Sequence, residues 1–488
     1  MHEHENVPAF TAQAALECFE LDRALLDRVI RAGLSRGADA CELFFQRRRS
    51  VSLQLSDHAV REGGVRIIRG VGVRVIKDGR AGYSHTADLT ETGMADAARV
   101  AAMIADGAPG SRSPTAGTRV FRDAETARFA GLYEESADDL AVDRARAWLD
   151  DIDARCHALD PRISRAIVAV EYSGERVLIA NSDGLMVADD RPLFRAYVGC
   201  VAESGGRVEE CWESLGARKN ARASMTAEVA SRLASRAVAG TVSLFDAVES
   251  PTGEMPLVLA AGGGGILLHE AMGHGFEADF IRKGTSIFAG RLGERIAAPE
   301  VTVVDSGLLP ESFGSLKTDD EGAPTRETTL VEEGRLSSWL HDAVSARHFS
   351  VEPTGNGRRE DYRHAPLPRM RSTFMRPGSR SRDEIIASVK RGIYAERFSN
   401  GEVDIGPGDF SFYVKSGFLI EDGKLTAPVK DVNLIGNGPK ALGAIEMVGD
   451  DLVFDEGCNY CGKYGQSVPV GMGTPTLKIG SITVGGRA

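Results

Sequence analysis

Residues 255–280 read MPLVLAAGGGGILLHEAMGHGFEADF, and the interpretation of the whole chain starts from this stretch. An apolar run and four consecutive glycines precede a histidine–glutamate pair, and a second histidine follows five residues after the first. Immediately before it, Ser250-Pro251-Thr252-Gly253 has the composition of a turn or linker. The stretch therefore predicts a boundary near residue 250, with one domain in residues 1–250 and another in residues 251–488.

The N-terminal domain alternates helical and hairpin-like patterns. Helical periodicity occurs in residues 21–32, 90–105, 137–158 and 225–239, where Gly240 is the predicted C-terminal cap. Short apolar runs predict strands in residues 41–45, 51–55, 65–68, 71–76, 167–187 and 193–212. Turn residues between them, at 78–79, 181–184 and 204–206, indicate hairpins. This part is an α/β domain with hairpins and amphipathic helices.

The C-terminal domain is punctuated by glycine and is mostly strand-like. Predicted strands cover residues 301–304, 329–339, 409–420, 425–432 and 476–484, with a hairpin turn at 421–424. After the histidine stretch, residues 383–391 form the one predicted helix. The fold class is therefore α+β, with a β-rich C-terminal domain following the N-terminal α/β domain.

Composition limits the classes of function. The 488 residues carry a net charge of −12 and a pI near 5.5, which argues against a nucleic-acid-binding protein. No signal peptide is visible, and no apolar segment approaches the ~20 residues that span a bilayer, so we expect a cytoplasmic protein without a membrane segment. Seven scattered cysteines do not indicate a disulfide framework. The 55 glycines exceed the roughly 34 of average usage, which indicates tight turns or close backbone approaches.

The spacing of the two histidines, His269 and His274, sets a geometric condition. Side chains four residues apart on an α-helix differ by about 40° around the axis, and those five apart by about 140°. An undistorted α-helix therefore cannot direct both imidazoles at one metal ion. A π-type turn, or a helix that ends at Gly273, would bring them together. The alternative is that both are ordinary buried or capping histidines.

A catalytic zinc site needs three protein ligands, an open position for water, and a proton acceptor. Glu270 is the candidate acceptor because it adjoins His269. Either Cys458 or Cys461 is a candidate third ligand. Two alternatives stay open on the residues alone: a closed structural zinc site made by both cysteines and both histidines in a non-enzymatic interaction scaffold, and a redox-active Cys458–Cys461 pair.

Other polar groups and glycines have a structural and a functional interpretation. The glycines at 262–265, including Gly263 and Gly264, form either a bend or a surface where an extended peptide can lie beside the metal. The block Asn356, Arg358, Arg359 and Glu360 is either a solvated loop or a substrate-positioning or intersubunit element. The acidic run 319–322 is predicted to be a solvated turn. His341, His348 and His364 are predicted to be structural.

Four segments together resemble the TldD/PmbA family of metallopeptidases, and in particular its catalytic TldD-type subunit. They are GILLHEAMGHGFEADF (265–280), TGNGRREDYRHAPLPRM (354–370), SVKRGIYAERFSNGEVDI (388–405) and CGKYGQSVPVGMGTPTLKI (461–479). The resemblance covers most of residues 251–488 and is weaker before them. The His-Glu-x-x-x-His spacing is the family's own, and the PmbA-type subunit lacks it.

The resemblance implies a Zn²⁺ site formed by His269, His274 and Cys461, with Glu270 as the general base. Cys458 has no counterpart in the family pattern. The implied activity is hydrolysis of short or unfolded peptides and removal of leader peptides. The implied partner is a PmbA/TldE-like non-catalytic subunit, with a homodimer as the alternative. Asn356, Arg358, Gly263 and Gly264 are the tentative substrate-binding residues.

Overall fold

The computed structural model describes residues 10–106, 120–124, 126, 129, 131–134 and 142–485, and these form an α+β fold, as the sequence predicted. Within these ranges, no helix is long and apolar enough to cross a membrane. All seven cysteines are free, in agreement with the predicted lack of a disulfide framework.

Eleven α-helices lie in the described part of the chain. They are α1 (Ala12–Phe19), α2 (Arg23–Leu34), α3 (Glu91–Asp106), α4 (Val142–Leu159), α5 (Ala221–Ser224), α6 (Ala227–Ser243), α7 (Gly265–Leu268), α8 (Ala278–Lys283), α9 (Ala343–Phe349), α10 (Arg382–Ala387) and α11 (Gly438–Gly443). A π-helical turn (His269–Gly273) and a 3-10 turn (His274–Phe276) follow α7.

The strands of the N-terminal half are β1 (Ala40–Ser56), β2 (Ala59–Lys77), β3 (Arg80–Thr86), β4 (Arg122–Asp123), β5 (Ile163–Asn181), β6 (Leu185–Ser204) and β7 (Arg207–Ala217). The others are β8 (Val248–Glu249), β9 (Gly253–Leu259), β10 (Val303–Ser306), β11 (Glu327–Glu332), β12 (Arg335–Leu336), β13 (Gly357–Arg358), β14 (Leu367–Pro368), β15 (Ser372–Met375), β16 (Arg391–Val403), β17 (Asp409–Glu421), β18 (Lys424–Lys430), β19 (Val432–Asn437), β20 (Ile445–Val448), β21 (Val453–Phe454), β22 (Tyr460–Lys463), β23 (Gln466–Pro469), β24 (Gly471–Thr474) and β25 (Leu477–Gly485).

Strands β1 to β7 form one sheet in the order β3-β2-β1-β5-β6-β4, with β7 paired to β6. The predicted turn at Asp78-Gly79 is confirmed: both residues have positive φ, at 48° and 74°, and they join β2 to β3. The predicted runs 41–45 and 51–55 are parts of the single strand β1, because the polar residues between them stay paired with β2 and β5. Long, regular ladders therefore build this half of the molecule.

The two faces of this sheet have different partners. Phe45 and Leu53 lie at odd positions of β1, on the face that helices cover. Phe45 packs against α2 and α3, and Leu53 packs against α4 and α6. Phe44 points to the opposite face, where it packs with Tyr362 from the C-terminal half. Since successive side chains of a strand alternate between faces, one strand serves both contacts. The second face is thus directed at the C-terminal half.

The predicted helices of the N-terminal half are present as α2, α3, α4 and α6, and residues 137–141 of the third prediction lie outside the described residues. Gly240 does not cap a helix, because α6 continues to Ser243. A Cβ at Gly240 would lie 2.8 Å from the Sγ of Cys211, so close packing explains this glycine. Beyond the predicted helix, present as α10, the C-terminal half also contains α8, α9 and α11.

Five strands of the C-terminal half form a closed ring. Strand β16 pairs with both β9 and β17, and β25 and β19 complete the circuit. A six-stranded sheet, in the order β12-β11-β10-β15-β24-β21, lies beside the ring. Described strands up to β7 pair only with one another, as do those from β8 onward, so the boundary predicted near residue 250 falls between the two sets and stays a prediction.

A buried ionic network joins the two halves. Asp320 accepts from Arg191 at 2.6 Å, and Glu321 contacts Arg74, which also binds Glu42 at 2.7 Å. Asp320 and Glu321 are only 3% and 6% exposed. The predicted solvated turn at 319–322 is therefore wrong, because arginines far away in the sequence neutralise these carboxylates in the interior.

Candidate metal centre

The segment between β9 and α8 changes helical type at the two histidines. Helix α7 ends at Leu268, and the π-turn His269–Gly273 follows it. The N–H of His274 donates to the carbonyl of His269, five residues earlier, which is the hydrogen bond that defines a π-turn. The imidazole centroids of His269 and His274 consequently lie 5.0 Å apart. Of the two geometries that the spacing allowed for a shared metal site, the structure has the π-turn.

Cys461 reaches the histidine pair from a distant part of the chain. It lies on β22, which pairs with β23 to form a two-stranded ribbon. Its Sγ is 3.5 Å from the Nε2 of His274. One ligand atom each from His269, His274 and Cys461 lies within 4.8 Å of the other two, and all three residues are buried. The structure thus brings the predicted histidines and Cys461 together.

Cys458 lies outside this group. Its Sγ is 3.1 Å from the carbonyl oxygen of Leu215, and burial raises the pKa of its thiol to about 11. Among the residues that the structure describes, the group that contains His269, His274 and Cys461 has no fourth histidine, cysteine or carboxylate. A closed site that uses both cysteines is therefore one ligand short in this geometry.

A carboxylate supports the second histidine. The Nδ1 of His274 is 3.0 Å from Glu277 Oε2, and the Nζ of Lys463 is 3.0 Å from the same oxygen. Glu277 is fully buried; burial alone would raise its pKa, but Lys463 and His274 lower it to about 2. Sequence reasoning missed both residues. The i,i+3 spacing of Glu277 from His274 was the available signal.

The charge states suit metal binding. Burial opposes ionisation of Cys461, but His274 and His269 hold the pKa of its thiol well below its ordinary value. A thiolate is the form that binds metal ions. The Nδ1 of His269 is buried and has no hydrogen-bond partner among the described residues. Two imidazoles and one thiolate form a donor set that suits Zn²⁺ and leaves a fourth tetrahedral position open, so these residues fit the metal that the sequence predicted.

Glu270 lies on the same π-turn, between the two histidines. Burial raises the pKa of its carboxyl, and the nearby His269 and His274 oppose that shift. A raised pKa brings a carboxylate closer to the range in which general bases work near neutral pH. A cleft of about 870 Å³ borders this segment at Gly263 and Ile266. We call it the glycine cleft.

The tentative substrate residues lie in different environments. Gly263 lines the glycine cleft, although a Cβ at Gly263 would lie 2.5 Å from the carbonyl oxygen of Glu396 and one at Gly264 would lie 2.9 Å from Thr474. The amide of Asn356 donates to Asp305 at 2.7 Å, inside the protein. Arg358 is 2% exposed and borders a second cavity. The expectation of a solvated loop is therefore wrong for Asn356 and Arg358, and their roles in substrate binding stay predictions.

The single histidines differ in exposure. His341 is buried, and its main-chain N–H donates to Thr354 at 2.7 Å. His364 is 2.9 Å from Asp361. A second group, formed by His58, Asp153 and His157 in the N-terminal half, also has ligand atoms within 4.8 Å of one another, although His58 is 69% exposed. This second group shares no residue with the group at the π-turn, so a substitution in it is a control for substitutions at the metal centre.

Comparison with known proteins gives matches along most of the chain. Three family models match: PmbA/TldA metallopeptidase domain 1 at residues 41–105, the central domain at 135–244 and the C-terminal domain at 252–486. A "Metalloprotease TldD homolog" from Haemophilus influenzae is 39% identical over 457 residues, which cover 92% of this chain and 94% of that protein.

Two solved structures share the fold. A putative modulator of a DNA gyrase from Thermotoga maritima superposes with a TM-score of 0.74 at 22% identity, covering 95% of this chain and 99% of that one. TldE from Thermococcus kodakarensis gives a TM-score of 0.72 at 22% identity, covering 95% and 100%.

Proposed function

The chain belongs to the PmbA/TldD metallopeptidase family, with the sequence of a TldD-type metalloprotease, and on this premise we propose that it is a zinc peptidase that hydrolyses extended peptides, leader peptides or unfolded proteins. The observation that carries the proposal is the convergence of His269, His274 and Cys461 around a π-turn that also holds Glu270. Zinc bound there would lower the pKa of water towards about 7 and polarise the scissile carbonyl.

The residues of the chain divide the work. His269, His274 and Cys461 hold the metal, and Glu277 orients His274 through its Nδ1. Glu270 accepts the proton of the attacking water and transfers it to the leaving amine. Gly263 lies on the wall of the glycine cleft, where the backbone of an extended substrate would bind. Recognition through the backbone would give loose sequence preference.

The role of Glu270 is tested by Glu270→Gln, which keeps the size of the side chain and removes its basicity. We expect zinc content at the wild-type level and a fall in kcat of at least 100-fold on a quenched fluorescent peptide. His58→Ala, in the other histidine group, is the matched control and should leave both values unchanged. Full activity of the Glu270→Gln protein would refute the assignment.

The third ligand is tested by comparing two serine substitutions. Cys461→Ser should lose tightly held zinc and activity, whereas Cys458→Ser should keep both, since its thiol contacts Leu215 instead. Zinc is measured by mass spectrometry after gel filtration. Retention in Cys461→Ser with loss in Cys458→Ser would move the ligand to Cys458.

The proposed partner is a TldE-like subunit in a heterodimer, with a homodimer as the alternative. The fold shared with TldE supports two related chains of similar shape. Light scattering of the purified chain, alone and mixed with a TldE-like protein, separates the two cases. The peptidase assay, run on both samples with and without a chelator, shows which assembly is active.

A further inference from the structure

A large polar cavity lies between the two halves of the molecule. It has a volume of about 670 Å³, and its floor is the face of the N-terminal sheet that is not covered by helices. Residues of the C-terminal half, among them Arg358 and Tyr460, form the opposite wall. Seven arginines but only four carboxylates line it, in a chain whose net charge is −12. The cavity is therefore locally cationic.

Two of these arginines are buried without a counter-ion. Arg218 and Arg358 are 5% and 2% exposed. Among the described residues, no carboxylate oxygen lies within 4.0 Å of either guanidinium; Arg358 donates to the carbonyl of Met370, and the Nε of each is unpartnered. Arg359, the neighbour of Arg358, differs in that it binds Glu42 at 2.5 Å.

The burial of these two charges is costly. A buried charge without a partner is strongly unfavourable. Burial lowers the pKa of Arg358 to about 9, with Arg218 adding to the shift and Asp320 opposing it. Burial also lowers the pKa of Arg218, and Glu175 opposes that shift. An anion bound between the two arginines would offset the cost of burying their charges. It would accept bidentate hydrogen bonds from both guanidinium groups.

We propose that Arg218 and Arg358 form an exosite that binds the carboxylate of a peptide, either a free C-terminus or an acidic side chain. The choice of a peptide rests on the proposed peptidase function. The cavity also contains Glu171 and Glu175, which suit the amide and ammonium donors of a peptide and disfavour a second anionic group.

The exosite is separate from the metal centre. Tyr460 and Pro469 are paired across the β22–β23 ribbon, and both line the cavity. Cys461 is the next residue after Tyr460, so its side chain points to the other face of the ribbon, where the histidines lie. One ribbon thus carries the metal ligand on one face and the wall of the carboxylate site on the other.

Binding is tested in a Glu270→Gln background, so that the probe is not consumed. The probes are an acetylated alanine tripeptide with a free carboxylate, its C-terminal amide, and an amidated tripeptide with one glutamate, each titrated by calorimetry. We expect the free acid or the glutamate peptide to bind at least tenfold more tightly than the neutral amide. Which of them binds identifies the source of the carboxylate.

Three substitutions link binding to the site. Arg218→Met and Arg358→Met should each weaken carboxylate binding at least tenfold, and Arg66→Met, an exposed arginine of the same cavity, should change it less than twofold. Because an unpaired buried charge is lost, both variants should also keep or raise the Tm of the peptide-free protein. A merely structural arginine would instead lower the Tm on substitution.

Equal binding of acid and amide, or unchanged affinity in both methionine variants, would overturn the proposal. Binding of inorganic phosphate without binding of either carboxylate peptide would overturn it as well. Chelator-sensitive hydrolysis by the wild-type protein is measured in parallel. If the wild-type protein binds the carboxylate peptide but shows no chelator-sensitive hydrolysis, the peptidase function alone is refuted. If it hydrolyses peptides but does not bind the carboxylate, the exosite alone is refuted.

Discussion

Replacing Gly273 by alanine tests how the π-turn is held. Gly273 has ordinary helical angles, φ −56° and ψ −50°, so its backbone does not require glycine. The surroundings of Gly273 do require glycine, because a Cβ at this position would lie 2.1 Å from the Sδ of Met370. Met370 is fully buried. Heavy atoms in contact prefer separations of about 3.5–4.0 Å. The added methyl group must therefore displace either Met370 or the turn that carries His274.

The size of the effect follows from this overlap. Overpacking costs about 1–3 kcal/mol, and an overlap of this size belongs at the upper end. The higher helix propensity of alanine relative to glycine offsets about 1 kcal/mol of this cost. Because the displaced turn carries His274, we assign this net cost of about 2 kcal/mol to the metal-bound geometry, which corresponds to a roughly 30-fold weakening of zinc binding. Competition with a chromophoric chelator measures this affinity.

A double-mutant cycle with Met370→Ala separates crowding from other causes. Met370→Ala alone leaves a cavity, but in the double variant the new methyl group occupies part of that space. We expect the double variant to bind zinc at least tenfold more tightly than Gly273→Ala, with a coupling free energy of about 2 kcal/mol. Additive effects, or wild-type zinc affinity in Gly273→Ala, would refute the steric explanation.

Two further predictions concern buried groups around the core. Glu277→Gln should weaken zinc binding about 10–100-fold, because His274 loses the carboxylate that orients it, and the metal-free Tm shows whether the fold is intact; unchanged affinity would contradict this role. In His341, burial lowers the pKa to about 4. The folded protein therefore binds fewer protons than the unfolded chain, and stability should fall by about 2 kcal/mol from pH 7 to pH 5 through this residue. Urea unfolding of His341→Phe at both pH values should show a smaller loss than the wild type, and an equal loss would contradict the prediction.

Local signals were sufficient for much of the fold. The Asp78-Gly79 pair defines a hairpin because few residues adopt positive φ at two successive positions. Helix α10 begins with a capping box in which Ser381 and Glu384 bond reciprocally, a signal contained within four residues. The spacing of His269 and His274 limited a shared metal site to a π-turn or a helix that ends at Gly273, and the structure has the π-turn. Each of these signals lies in neighbouring residues.

The sequence pointed to the correct position, Gly273, but backbone freedom does not explain why glycine is needed there. Sequence reasoning placed a distortion at Gly273 because glycine tolerates unusual backbone angles. The need arises from Met370, which lies nearly one hundred residues away in the chain. The same holds at Gly240, where Cys211 occupies the space that a side chain would need. A sequence shows that a glycine is present but not which distant atom occupies the vacated space.

The prediction that the acidic run at 319–322 is solvated was wrong for a physical reason. A run such as Asp319–Glu321 is usually solvated because isolated carboxylates are costly to bury. Here arginines from the N-terminal sheet, Arg74 and Arg191, remove that cost by pairing across the two halves. The burial of such a run depends on partners that only the folded chain brings close.

Pairing also separates the structural arginines from those with another role. Arg74, Arg191 and Arg359 use the buried carboxylates of the interface, so their charges are accounted for by folding. Arg218 and Arg358 are equally buried, but among the residues that the structure describes neither has a carboxylate oxygen within ion-pair distance. Methionine or leucine would fill the same volume without a charge, and folding alone would favour them. The two unpaired charges therefore support the proposed carboxylate, which would lie in the cavity that they border.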